Sequence, residues 1–356
     1  MRNRLGLFVA LFFVGTLAAQ QPAGQAPKPT GTAPAATQPA PTGGDVEIAW
    51  KFNPNEEFFQ KLTTVTEQNM KTGNLVVSQK QEQTFVIGWK VIKKTDSEVV
   101  LEQRILSVAM KITIQNNEIK YDSTAKDAEN NPLANFFKPI IGTTFTITLD
   151  PKKMEVTKLA GRDEFVRKLT DSNPLIGEML KKILTDDQLK KMSEPAFALV
   201  PPGKVKANQT WERKGDLNMG PIGSYNAVYK YTYAGPAPQN PKQQLINVDT
   251  TLTWKAPDPK EASTLPFKIE GGDLKTTEAK GTITFDSEKG RVAEQRMTVK
   301  IKGELTISVG GDQKGEKGKV ELDQTQTTTT TTSDKNPNEV AAPAAPGGAA
   351  APTPPK

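Results

Sequence analysis

Residues 297–309 read MTVKIKGELTISV, and this stretch decides the fold. Met297, Val299, Ile301, Leu305, Ile307 and Val309 share one parity, while Thr298, Lys300, Lys302, Glu304, Thr306 and Ser308 hold the other. Successive side chains of a strand point to opposite faces, so the stretch is a strand with one apolar and one wet face. The pattern recurs along the chain. Phe85, Ile87, Trp89 and Val91 alternate with Thr84, Val86, Gly88 and Lys90. Leu106, Val108, Met110, Ile112 and Ile114 form another row, and Phe145, Ile147 and Leu149 alternate with threonines. DPKK from Asp150 and SEKG from Ser287 supply turns, the second with Gly290 free to take positive φ. Such alternation is expected of an antiparallel sheet covered on one face.

The middle of the chain changes period. In SNPLIGEMLKKILTDDQLKKM, residues 172–192, Leu175, Ile176, Met179, Leu180, Ile183 and Leu184 fall at helical spacing. Asn173 can cap this helix with Pro174 at its first position, and Thr185 with Gln188 forms a capping box for a second. GRDEFVRKL from Gly161 and NPLANFFK from Asn131 predict further short helices. The expected class is therefore α+β, mainly β: a large curved antiparallel sheet, with short helices packed on its apolar face. Two duplicated β units are a further expectation. Trp89 and Trp254 each sit in a Trp-Lys pair, and Asp122 in YDST is echoed by Asp286 in FDSE. In this reading those aspartates are turn residues.

The ends differ in composition. Residues 1–19 carry Arg2 and Arg4, an apolar run from Leu5 to Leu17, then Ala18 and Ala19. This is the layout of a signal peptide, and its apolar run is shorter than the roughly 20 residues of a spanning helix. Residues 20–44 form a Pro/Ala linker and residues 324–356 a Thr/Pro/Ala tail, both expected to be disordered. Between them lie a first β unit (45–155), a helical insert (156–204) and a second β unit (205–323). The expected localisation is export to the periplasm or cell surface, with no transmembrane segment once the signal is cleaved.

Composition narrows the chemistry. The chain has no Cys and no His, so thiolate and imidazole catalysis and the commonest zinc ligands are excluded. The net charge of +6 is spread along the chain without a dense basic block, so nucleic acid is not an expected partner. Glu56/Glu57 and Asp186/Asp187 are adjacent in sequence and diverge in direction, so both pairs are expected at the surface. NQT at Asn208 is a formal glycosylation sequon.

WKFNPNEEFFQKLTT (50–64), QKQEQTF leading into WKV, IKYDS, GTTFTITLD, VPPGKVKANQTW and FDSEKGR together resemble an uncharacterised family of exported bacterial proteins, a domain of unknown function common in planctomycete-like bacteria. The resemblance covers the core and neither tail. It implies no activity and no functional residues. Asn208 stands where that family's pattern often has a glycine before the tryptophan, and Asn tolerates the left-handed turn.

One local feature stands out. In YNAVYKYTY, Tyr225, Tyr229, Tyr231 and Tyr233 share one strand face. Such a row either lines an amphipathic ligand groove or packs across strands as ordinary core. The expected function is a non-enzymatic envelope protein without cofactor or metal. Its candidate partners are a lipid or apolar ligand held between sheet and helices, and another envelope protein. The alternative is a structural scaffold with no ligand.

Overall fold

The computed structural model describes residues 45–128, 131, 133–172, 177, 180, 181, 183–258, 267–309 and 316–339. The signal peptide, the linker, residues 340–356 of the tail, and Asn173, Pro174, Leu175, Ile176 and Met179 lie outside the described residues. Twelve strands form one antiparallel sheet. The first six are β1 (Glu57–Thr72), β2 (Leu75–Lys94), β3 (Val99–Ile114), β4 (Asn117–Asp122), β5 (Thr144–Asp150) and β6 (Glu155–Ala160). The second six are β7 (Thr210–Asn218), β8 (Ser224–Ala237), β9 (Asn240–Lys255), β10 (Phe267–Asp286), β11 (Arg291–Val309) and β12 (Glu316–Ser333). Between the halves lie helices α2 (Arg162–Ser172) and α3 (Asp186–Ala198), and α1 (Ala134–Phe137) precedes β5. Gly177, Leu180, Lys181 and Ile183 are helical too.

The sheet order is β6-β5-β3-β2-β1-β12-β11-β10-β9-β8-β7, with β4 paired to β3. The second half is a meander; in the first, β3 pairs with both β4 and β5, and the halves join where β1 lies against β12. The first and last strands thus meet in mid-sheet, and the strand order ends at β6 on one side and β7 on the other. Helix α3 packs against both edges. One core cluster holds Met70 and Val108 from the first half, Leu217 and Leu305 from the second, and Leu180 and Leu184 from between. The sheet therefore curls around its helices as a split barrel, and the helices close the gap. This matches the expected curved sheet with helices on its apolar face. Leu180 and Ile183 of the expected stripe are buried in that cluster.

Local chemistry explains the corners. Asp150 Oδ1 accepts from Lys152 N at 2.8 Å and Lys153 N at 3.1 Å, making the turn expected there. Gly290 closes the β10–β11 hairpin at φ +61. Gly161, between β6 and α2, has φ +99, and a Cβ there would stand 2.3 Å from Thr144 O, so no other residue fits. Asn208 takes φ +66, the left-handed geometry that its position requires. Thr185 Oγ1 caps α3 by accepting from Gln188 N at 3.2 Å. The return half of the capping box is replaced: Gln188 Oε1 accepts from Asn218 N of edge strand β7 at 3.0 Å. A bare edge N–H outcompetes the helix terminus for this acceptor.

Two expectations are corrected. Gln324–Ser333, expected in the disordered tail, is the second half of β12. It pairs with β1 from Gln68↔Gln324 to Phe59↔Ser333, and with β11 from Ile301↔Gln324 to Glu294↔Thr331. The run lacks large apolar residues, so its composition hid it. Threonine is β-branched and suits a strand, and a strand paired on both sides satisfies its whole backbone. The tryptophan correspondence also fails. Trp89 lies on β2, the second strand of its half, and Trp254 on β9, the third, so their strands run in opposite directions. The aspartates share a local role but not a place in the sheet: Asp122 ends β4, which pairs with β3 alone, and Asp286 ends β10, which pairs with β9 and β11, so the expected duplication is not met. Asp122 Oδ1 accepts from Thr124 N at 2.8 Å and Asp286 Oδ1 from Glu288 N at 3.0 Å, so both are turn residues.

Candidate ligand site

The inner wall of the split barrel is mostly apolar and carries a continuous polar band at its centre. There, strands β12, β1 and β2 align three polar rows: Gln324–Gln68–Gln79, Gln326–Thr66–Gln81 and Thr328–Thr64–Gln83. Met297, Val299 and Ile301 of β11 flank them on one side, and Met110, Ile112 and Ile114 of β3 on the other. Thr64 and Thr328 share a hydroxyl contact of 3.3 Å, whereas Thr66 Oγ1 and Gln79 Oε1 are buried without a partner. This seam divides the interior. On the first-half side a cavity of about 110 Å³ is bounded by Phe85, Phe136, Leu159 and Leu180. On the second-half side one of about 140 Å³ is bounded by Tyr225, Leu252, Trp254 and Leu274.

A larger cleft, about 670 Å³, opens where the barrel is split. Its walls are the β5–β6 turn, the Lys191–Ala198 face of α3, Pro201 and Pro202, and Arg213–Asp216 of β7. Tyr229 and Tyr231 contribute to its lining. Side chains stitch α3 and the segment after it to β7. Arg213 donates from Nε to Ala198 O at 3.0 Å and from Nη2 to Val200 O at 3.1 Å. Trp211 Nε1 donates to Leu199 O at 2.9 Å, and Lys191 pairs with Asp216 at 2.8 Å. On the β6 side, the Glu194 carboxylate accepts from Val156 N–H. Burial raises the Glu194 pKa above the ordinary value, and the nearby Glu155 charge adds to it.

The four candidate tyrosines share the inner face, as expected, but not one groove. Tyr225 borders the second-half cavity, and burial pushes its hydroxyl pKa up to about 12. Tyr229 and Tyr231 line the cleft, with Tyr231 stacked on Trp211 at 5.5 Å. Both hydroxyls are buried with no hydrogen-bond partner, and desolvation raises their pKa values. Tyr233 belongs to the core and donates to Gln244 Oε1 at 2.6 Å. Sequence reasoning missed the seam and the cleft. The alternation of Gln79, Gln81 and Gln83 ahead of Phe85 was a legible signal for the seam. Nothing local marked Arg213 or Glu194, which line one cleft only because α3 packs between β6 and β7.

The outer wall is charged. Lys80–Glu67 at 2.6 Å, Lys71–Glu321 at 2.9 Å and Lys302–Asp323 at 2.8 Å lie on it. A lipid-facing wall would bury such lysines at about 2–4 kcal/mol each near the midplane. Among the described residues no helix is long and apolar enough to cross a membrane.

These features define a class: a split antiparallel barrel, charged outside and apolar inside, with a helical cover and a cleft at its opening. The chain belongs to the family described as Family of unknown function (DUF6263), whose profile matches residues 96–292. That span includes β6, β7 and most of the cleft between them; Glu47, Ile48 and Ala49 of the cleft precede it. No curated protein matches the chain. Among solved structures, one of lipid–protein interactions in lipovitellin shows 10% identity and a TM-score of 0.38 over 82% of this chain. The chain spans about a quarter of lipovitellin's length, 27%. An outer membrane channel from Pseudomonas putida F1 shows 7% identity and a TM-score of 0.23, covering 82% of this chain and all (100%) of that one. DynF from the dynemicin biosynthesis pathway of Micromonospora chersina shows 8% identity and a TM-score of 0.16, with coverages of 84% and 92%.

Proposed function

We propose that the protein is a non-enzymatic envelope protein, exported to the periplasm or cell surface, that binds an apolar or amphipathic ligand between its sheet and its helices. The observation that carries the reading is an unfilled apolar lining. Tyr225, Leu252, Trp254 and Leu274 border the interior cavity yet are only half-buried. Phe85, Phe136 and Leu159 do the same on the first-half side. Covering such surface is favourable by about 25 cal/mol per Å². Each interior cavity is about the size of one that accepts benzene, so a longer ligand must shift the helical cover or extend into the cleft. The absence of His and Cys supports a non-enzymatic role, and the charged, then apolar, N-terminus supports export.

The competing reading is a scaffold whose interior is filled by its own helices. The deep burial of Leu180, Ile183 and Leu184 favours it. Native mass spectrometry of protein from its own host, with thermal melts in the presence of dodecanol, separates the two. A co-purified amphiphile, or a rise in Tm with dodecanol, is expected. Ligand-free protein that dodecanol leaves unstabilised would leave the scaffold reading. N-terminal sequencing of the secreted form is expected to show cleavage after Ala18 or Ala19.

A further inference from the structure

We propose that the cleft between β6 and β7 receives the anionic headgroup of an amphiphile, whose apolar chain passes Gly215 into the second-half cavity. This rests on the interior-binding reading and adds to it a site, a headgroup charge and a route. The first observation is the pair of hydroxyls. Tyr229 and Tyr231 are 1% and 0% exposed and line the cleft, and neither hydroxyl has a partner. A buried hydroxyl without a partner is costly, and a native fold that keeps two at one opening leaves donors for something else.

The second observation is charge. The Arg213 guanidinium is fixed by the carbonyls of Ala198, Glu212 and Val200, and has no carboxylate partner among the described residues. Carbonyls hold its orientation without cancelling its charge. Lys191 is different, since Asp187 and Asp216 neutralise it. The remaining charged groups of the cleft are Lys152, Lys153, Lys204 and Lys214 against Glu47, Glu155 and Glu194, so the cleft keeps a cationic excess. A pre-oriented guanidinium beside two phenol donors is suited to a carboxylate or phosphate.

The third observation is the passage. Gly215 borders both the cleft and the second-half cavity. It pairs across the strands with Ala227, so the wall is thinnest there. A Cβ added at Gly215 would meet only Tyr229 Cε2, at an ordinary 3.5 Å. A larger side chain would therefore obstruct the route without straining the backbone.

The test uses the full chain and two probes of equal length, dodecanoate and dodecanol, titrated below their aggregation concentrations by calorimetry. Wild type is expected to bind dodecanoate about tenfold or more tighter than dodecanol. Arg213→Gln should reduce dodecanoate to the level of dodecanol and leave dodecanol unchanged. Should Arg213→Gln fail to fold, the double variant Tyr229→Phe/Tyr231→Phe decides. It removes two unpartnered oxygens, so it should melt higher than wild type while losing preference for the acid. Gly215→Leu should weaken both probes by about tenfold or more. Equal affinity for acid and alcohol in wild type, or a preference undiminished in the variants, overturns the headgroup site and leaves the interior reading standing. Unweakened binding by Gly215→Leu overturns the route. Failure of wild type to bind either probe overturns the interior reading and this proposal with it.

Discussion

Leu180→Ala tests whether the helical cover is held by the sheet. Leu180 is 2% exposed, belongs to the core cluster shared by both halves, and borders the first-half cavity. Removing three carbons forfeits about 0.8 kcal/mol each in transfer free energy, roughly 2.4 kcal/mol together. A cavity term adds to this, and its size depends on how far the neighbours relax. Here they already leave about 110 Å³ unfilled beside Leu180, so little collapse is expected. The total should then fall in the upper part of the usual range, about 3–5 kcal/mol. Urea melts should show a lower midpoint at an unchanged m-value, because the surface exposed on unfolding stays the same. Thermal melts should fall by about 2–4 °C per kcal/mol lost. The enlarged cavity should also respond to a small apolar ligand. At a benzene concentration about 100 times its Kd, the variant should regain about 2.7 kcal/mol, more than wild type gains. A loss below about 1 kcal/mol would refute the docking of this segment, since a solvent-facing leucine costs little to shorten.

Three further outcomes follow from the structure. Glu194→Gln should make stability less dependent on pH: the folded state holds the Glu194 proton more tightly than the unfolded chain does. That contribution is complete below the ordinary glutamate value of 4.5 and lost as pH rises through the raised folded value. Denaturant melts across this window should fall less with pH in the variant, which keeps the acceptor for Val156 and should be the more stable form at neutral pH; equal slopes would refute it. Arg291 is buried over the Phe58 ring, 5.0 Å from its centroid, and is hydrogen-bonded to Glu56 ahead of β1 and Asp334 behind β12. Arg291→Met should cost about 1.5–3 kcal/mol for the lost charged hydrogen bonds, read by urea melts, and an unchanged midpoint would refute the clasp. Truncation after Asp323 should abolish cooperative unfolding, because it strips β1 of most of its pairing with β12 and β11 of half; a truncated chain that melts like wild type would return Gln324–Ser333 to the disordered tail.

Much of the sheet was legible because alternation is a local signal. The rows at Phe85–Val91, Phe145–Leu149 and Met297–Ile307 all became strands, and the turns at Asp150 and Asp286 formed where aspartate can bond the backbone ahead of it. The Thr run was illegible for the opposite reason. One of its two flanking strands, β1, lies more than 200 residues away, as in the Thr64–Thr328 contact across 264 residues, and no local window contains it. The cleft was hidden in the same way. Tyr229 and Tyr231 could be placed on one face from spacing, but their unpartnered hydroxyls depend on α3 and the segment after it lying against β7. Repeated tryptophans misled because Trp-Lys fits many places in a strand: within β2 at Trp89 and at the end of β9 at Trp254. The aspartates marked turns and not a repeat, since a turn position constrains the residue type more than a strand position does.

The meeting of β1 and β12 in mid-sheet also sets an order of events for synthesis. Neither half can complete its central pairing until residue 333 exists, because β1 finds its outer neighbour only then. Contacts this distant along the chain are slow to form, and a half-made meander offers a bare β1 edge in the meantime. A nascent chain of this design therefore cannot lock into its native form early, from its N-terminal half alone. On the export route proposed here, that delay keeps the polypeptide threadable while it crosses the membrane, and the last strand to emerge is the one that fixes the first.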